Sequence, residues 1–299
     1  MLSRRALLAG SAALLGAPRL PAFKSHITKA SISAITDAVA HTQADAIAFA
    51  QQYGLQWVEL RNVPETKKEF AFLTEPELKR WATELAAAKL KVSFLDSSLL
   101  KFTWPGTAPA ITPQDQKRWD RRKEDLSSAL MAANIFGVDK VRIFTGTRAA
   151  NPESVYPLIV KTFEELLPLA EKARVRLLIQ NGANQNIGTS AEAKAILELL
   201  PSPTIGLNWD PQDAMPLNEV PWPDGYRQIP KGRLLNTQFK TQSLLEDGPE
   251  KLNWKAILEA LEKDNYKGQI GLETHVSDAT LIEKANECIK EMLHIVGQL

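Results

Sequence analysis

One cysteine stands in the whole chain, Cys288, so no internal disulfide can staple the fold. It lies among helix-pattern residues, where a buried, inert thiol is expected. Histidine is scarce as well, with four in 299 residues, which disfavours a phosphodiesterase or nuclease site built on several imidazoles. Lys plus Arg (36) almost balances Asp plus Glu (35), and no long basic run occurs. Phosphate backbones need clustered cations, so nucleic acid is disfavoured as the main partner. The basic stretch at 117–123 is interspersed with Asp120, Glu124 and Asp125, the pattern of a solvated helix face. No repeat, low-complexity tract or inter-domain linker divides the chain.

The only candidate targeting segment is N-terminal. Ser3, Arg4 and Arg5 precede an apolar run over residues 6–17, with small residues beyond it. A positive start followed by a short apolar stretch describes an export signal, and the adjacent arginines point to the twin-arginine route. The run is too short to span a bilayer. Residues 1–22 are therefore read as a twin-arginine-type signal directing a periplasmic protein, with no stable membrane span after its removal, and residues 23–299 as one domain.

Within that domain eight strand-like runs alternate with helical patterns. The runs cover residues 27–35, 57–61, 91–95, 140–144, 176–180, 204–209, 233–238 and 269–273. Most are continuously apolar and rich in Val, Ile and Leu, as strands covered on both faces are. Helical patterns fall at 42–53, 75–89, 113–136, 152–173, 190–200, 254–263 and 280–296. The pattern at 190–200 opens on Ser190 and shows no acidic partner at Ala193 for a capping box. Strict alternation predicts a parallel α/β sheet closed as a single (β/α)8 TIM barrel, which takes roughly 250 residues. Of two longer loops, 99–113 is a candidate for covering its mouth, and 210–233, rich in Pro and aromatic residues, has the length of a functional or mobile loop.

Four late runs end on polar residues: Gln180, Asp210, Gln238 and Glu273. Their spacing of about 30 residues is one βα unit, which places all four on one rim of the barrel. Strand residues two apart share a face, so Glu59 with Arg61, Gln238 with Lys240 and Glu273 with His275 can point the same way. A carboxylate or amide beside a cation in a concave mouth suits a polar, oxygen-rich ligand. The competing reading of a strand-end acid is structural; Asp210, before Pro211, can order its own turn.

At these residues the chain resembles the sugar phosphate isomerase/epimerase family, the xylose-isomerase-like barrels. The resemblance runs through WVELRNV (57–63), LLIQNGANQ (177–185), GLNWDPQDA (206–214), LLNTQFK (234–240) and YKGQIGLETH (266–275). It implies a divalent metal, Mg²⁺ or Mn²⁺, held by Glu, Asp, His and Glu after strands five to eight. Asp210 and Glu273 match. Gln180 stands where the family has Glu, with Asn181 intact; Gln238 stands where it has His, with Lys240 intact. Amide oxygens bind hard cations weakly and suit Zn²⁺ poorly, and a Gln cannot take a proton near neutrality. The resemblance therefore implies proton abstraction next to the carbonyl of a carbohydrate or keto-sugar. Glu273 would be the base and Asp210 its electrostatic or metal-holding partner. Glu59, Arg61, Gln180, Asn181, Gln238, Lys240 and His275 would line the site. One-base isomerisation or elimination survives the loss of a second glutamate better than two-base epimerisation. The alternative is a non-catalytic sugar-binding or partner protein that has lost its metal.

Overall fold

A computed structural model describes residues 25–241, 244, 252–276 and 278–299. The segment read as an export signal lies outside them. Eight parallel strands form one sheet: β1 (Ile32–Ala34), β2 (Trp57–Leu60), β3 (Lys91–Leu95), β4 (Lys140–Ile143), β5 (Arg176–Gln180), β6 (Ile205–Trp209), β7 (Leu234–Thr241) and β8 (Gln269–Thr274). The order is β1-β8-β7-β6-β5-β4-β3-β2, and a parallel bridge between Ile35 and Glu59 joins β1 to β2, so the sheet curls into the expected barrel. Among the described residues no helix is long and apolar enough to cross a membrane.

The helices close the barrel by their apolar stripes. Leu78, Trp81 and Leu85 are the buried residues of the helix Glu75–Ala87, and Ile159, Phe163 and Leu166 do the same for Tyr156–Ala173. Cys288 is buried with a free thiol in Leu281–Val296.

Two local expectations are corrected. The 113–136 pattern is two helices, Pro113–Asp120 and Arg122–Phe136, meeting at Arg121. The first buries no residue on the barrel and packs through Trp119, whose ring centre is 5.3 Å from that of Trp104; the second buries Leu126, Ala129, Leu130, Ala132 and Ala133. Two different packing surfaces force the break. The helix at Ser190–Leu199 does possess a capping box, one residue earlier than expected: Thr189 is the cap and Glu192 its acidic partner.

What the apolar run lengths did not announce is a polar barrel interior. Such barrels are ordinarily filled by Val, Ile and Leu. Here Gln180, Asn208 and Asn236 sit in register on β5, β6 and β7 and form an amide ladder. Asn208 Nδ2 donates to Gln180 Oε1 at 3.0 Å, and Asn236 Nδ2 to Asn208 Oδ1 at 3.1 Å. Glu59 completes the layer, accepting from Ser33 Oγ at 2.6 Å and from Gln238 Nε2 at 2.5 Å. Gly271 on β8 makes room for it. A Cβ there would lie 2.4 and 2.6 Å from the Glu59 oxygens and 2.7 Å from Gln238 Oε1. Gly271→Ala should cost about 1–3 kcal/mol by overpacking, read as a lower urea midpoint at unchanged slope.

Candidate active site at the barrel mouth

The C-terminal ends of the strands carry expected side chains together with two that join them, Asp96 and Arg142. Asp96 follows β3, Arg142 lies on β4, Gln180 ends β5, Asp210 follows β6, and Lys240 and Glu273 lie on β7 and β8. Lys240 and Glu273 are register partners, which explains why they face one another across the rim.

Glu273 is nearly buried, and Arg61 Nη1 donates to its Oε1 at 2.5 Å. Burial alone would raise its pKa. The charges of Arg61, Lys240 and Arg142 outweigh that and hold it down at about 2. Arg61 is itself fixed by Asp37, whose Oδ1 accepts from Nε at 3.1 Å. Asp37 also accepts from the Asn62 backbone and side chain.

Asp210 is fully buried and caps the short helix Pro211–Ala214, its Oδ1 accepting from Asp213 N at 3.0 Å. Asn181 clamps its backbone from both sides: Nδ2 donates to Asp210 O at 2.7 Å, and Oδ1 accepts from Asp210 N at 2.8 Å. The turn-ordering role is therefore real, and it coexists with a place in the mouth: Lys240 Nζ lies 3.9 Å from Asp210 Oδ2 and 2.8 Å from Asp213 Oδ1. Burial first, then the Asp213 charge, pushes the Asp210 carboxyl well up, against the pull of Lys240.

Gln180 is the hinge of the arrangement. Its Oε1 accepts from Arg142 Nη1 at 3.0 Å as well as from Asn208, and its Nε2 donates to Asp210 Oδ2 at 3.3 Å. Arg142 also donates from Nε to Ser97 O at 2.9 Å and from Nη2 to Asp96 O at 3.0 Å. Its Nη1 stands 3.2 Å from Asp96 Oδ1. Asp96 is wholly buried, and burial pushes its carboxyl well up, Arg142 opposing and Glu59 and Glu273 adding. Glu59 is also raised, by burial, against its three side-chain hydrogen bonds.

Of the residues singled out in the sequence, Arg61, Gln180, Asp210, Lys240 and Glu273 converge through these contacts. Glu59 and Gln238 lie one layer deeper and bond each other. Asn181 is engaged with the Asp210 backbone. His275 is exposed, its N–H donating to Thr241 O at 3.0 Å. Four contributors had gone unnoticed: Asp37, Arg142, Asp213 and Lys101. Arg142 left a signal, because with Lys140 it puts two cations on the same face of a buried strand. Lys101 extends from the 99–113 loop. Loss of water, then the charges of Arg142 and Lys240, hold its ammonium below the usual lysine range.

A divalent ion does not fit this donor set. Arginine has donors only, so the Gln180 oxygen must face Arg142 and its NH2 must face Asp210. Gln238 must likewise turn its NH2 to Glu59. One oxygen of Glu273 is taken by Arg61 and one of Asp210 by a backbone N–H. Among the described residues no group of three or more His, Cys, Asp or Glu is arranged to hold a metal.

The Arg61–Glu273 pair yields a signed pH prediction. A carboxyl depressed to about 2 contributes stability that is complete above its unfolded value of about 4.3 and is lost as pH falls through the folded one. Arg61→Met strands a buried carboxylate, at a cost of about 3–5 kcal/mol near neutrality. Glu273 then protonates more readily, so the stability gap between variant and parent should narrow as pH falls toward 4. Urea titrations at several pH values measure it; a gap independent of pH would remove the pair from this role.

The fold has known counterparts. The IolI protein, solved with a bound zinc atom, superposes with a TM-score of 0.70 at 14% identity, over 90% of this chain and 98% of that one. The D-allulose 3-epimerase of Methylomonas sp., solved with D-allulose, gives 0.68 at 15% identity, over 88% and 96%. An L-ribulose 3-epimerase gives 0.67 at 17% identity, over 89% and 95%. No curated protein matches the sequence. The family model described as xylose isomerase-like TIM barrel matches residues 47–292. With the barrel and its rim in that order, this chain belongs to the xylose isomerase-like TIM-barrel family.

Proposed function

We propose that this protein is a sugar isomerase/epimerase-like enzyme that removes a proton next to the carbonyl of a carbohydrate or keto-sugar at the barrel mouth. One observation carries the reading. Oδ2 of Asp96 and Oε2 of Glu273 are buried and accept no hydrogen bond from the described residues, and Asp96 Oδ1 has only the Arg142 guanidinium, 3.2 Å away. Buried acceptors without donors cost free energy, and a polyol brings hydroxyl donors in number. Arg61 and Lys240 beside them suit a carbonyl oxygen. The fold's likeness to proteins named as sugar epimerases supports the same substrate class.

Glu273 is the base in this reading. Its ion pairs keep it ionised at every working pH, and they also make it weakly basic. Substrate oxygens that draw Arg61 and Lys240 to themselves restore its basicity when the site is filled. Asp210, held by Asn181 and faced by Lys240, sets the field around it. Gln180 and Gln238 cannot carry protons, so a one-base reaction fits better than two-base epimerisation.

A second reading, sugar binding without turnover, is favoured by the same two amides and by the tight Arg61–Glu273 pair. Incubation of a keto-sugar panel in deuterated water separates the two. Deuterium incorporation next to the carbonyl, reduced about 10²–10⁴-fold by Glu273→Gln, is the outcome expected of the enzyme. Saturable binding with no exchange on any member supports the binding protein. Because the free base titrates at about 2, kcat/KM should show no acid limb from Glu273 between neutrality and about pH 4.

Export through residues 1–22 belongs to the same proposal, and a periplasmic location favours unphosphorylated sugars. A reporter fused after residue 22 should reach the periplasm and remain in the cytoplasm when Arg4 and Arg5 are both replaced by Lys.

A further inference from the structure

Every carboxylate and amide at the four rim positions faces a partner chosen for a site with no ion in it. Asp210 Oδ2 faces the Gln180 NH2 at 3.3 Å, with Lys240 Nζ at 3.9 Å. The Gln180 oxygen faces Arg142 at 3.0 Å. Gln238 turns its NH2 to Glu59 at 2.5 Å, and Glu273 receives Arg61 at 2.5 Å. A carboxylate at position 180 would stand oxygen to oxygen against Asp210, a repulsion that a dication between them would relieve. An amide relieves it instead by donating. At 238 the amide NH2 is likewise spent on a buried carboxylate, Glu59, rather than left open to an ion.

Positive charge is supplied from within. Arg142 is about 95% buried and makes three hydrogen bonds, to Ser97 O, Asp96 O and Gln180 Oε1. It is fixed in one orientation, and Lys240 is held between Asp210 and Asp213. We propose that Arg142, with the amides of Gln180 and Gln238, takes over the charge-balancing and bonding tasks of a divalent ion, so that this barrel mouth is built to exclude metal. The inference uses the same rim as the proposed function, yet metal content is measured without turnover, so the two can fail separately.

The decisive test uses the purified wild-type protein and Mg²⁺, Mn²⁺ and Zn²⁺ in turn. Metal analysis after gel filtration should find far less than one equivalent, and the melting temperature should stay unchanged with each ion and with chelator. One equivalent of any of them, with a rise of several degrees reversed by chelator, overturns the proposal. A second arm asks whether these residues are the cause. The triple substitution Gln180→Glu, Gln238→His, Arg142→Met should acquire near-stoichiometric Mn²⁺ or Zn²⁺ and gain melting temperature on binding it. A folded triple variant that binds none would show that the exclusion has another origin. Should that variant not fold, the wild-type titration alone decides.

Discussion

The arrangement of this barrel turns on the donor-and-acceptor polarity of one side chain, the amide of Gln180. An amide has a donating and an accepting end, and here one end is claimed by a group that can play only one part. Arg142 can only donate, so it fixes the oxygen end, and the NH2 end is left to face Asp210 Oδ2. From that single orientation the neighbours follow. Asn208 must also donate to the oxygen, Asn236 must donate to Asn208 and Glu59, and Gln238 donates to the other oxygen of Glu59. A polar layer of this kind is stabilising only when its members agree on direction, since each buried group left over costs about 1–3 kcal/mol.

The rim differs from the interior in just this respect. Below, most polar atoms are used, with Asn236 Oδ1 and Gln238 Oε1 left over; above, the leftover acceptors of Asp96 and Glu273 accumulate beside three basic side chains. Dense, fixed charge with spare acceptors is costly in an empty scaffold. It becomes useful where a ligand arrives with its own hydroxyls and a polarisable oxygen. The acids are also pushed in opposite directions: Asp96 and Asp210 upward by burial, Glu273 downward by its cations. Divergent carboxyl groups at close quarters are how acid and base duties become divided.

Much of this could be read from the chain. Parallel strands buried on both faces show as apolar runs, and their spacing placed Gln180, Asp210, Gln238 and Glu273 on one rim, of which Gln238 sits a layer deeper beside Glu59. Strand ends drifted, with β1 confined to Ile32–Ala34 and β7 continuing to Thr241. What stayed hidden was whatever depends on contacts between distant segments. The break at Arg121 arises because Trp119 packs on a loop while Leu126 and Ala129 pack on the barrel. Period-2 reasoning set Glu59 beside Arg61, without showing that Glu59 lies a layer deeper, where Ser33, Asn236 and Gln238 bond its carboxylate. Arg142 escaped because cations inside a short apolar run look like exceptions until the three acceptors of Arg142 are seen.

The loop after β3 has a consequence for ligand traffic. Trp104 is wholly buried, its indole N–H donating to Leu100 O at 3.1 Å, and Gly146 approaches so closely that a Cβ there would lie 2.8 Å from the ring nitrogen. Leu99 and Phe102 carbonyls accept from Phe144 and Thr147, tying the loop to the exit of β4. This wall is anchored like core structure. A ligand meeting the mouth on that side meets a surface already in place, so the ordering of this wall has been settled in folding and is not drawn from the free energy of binding.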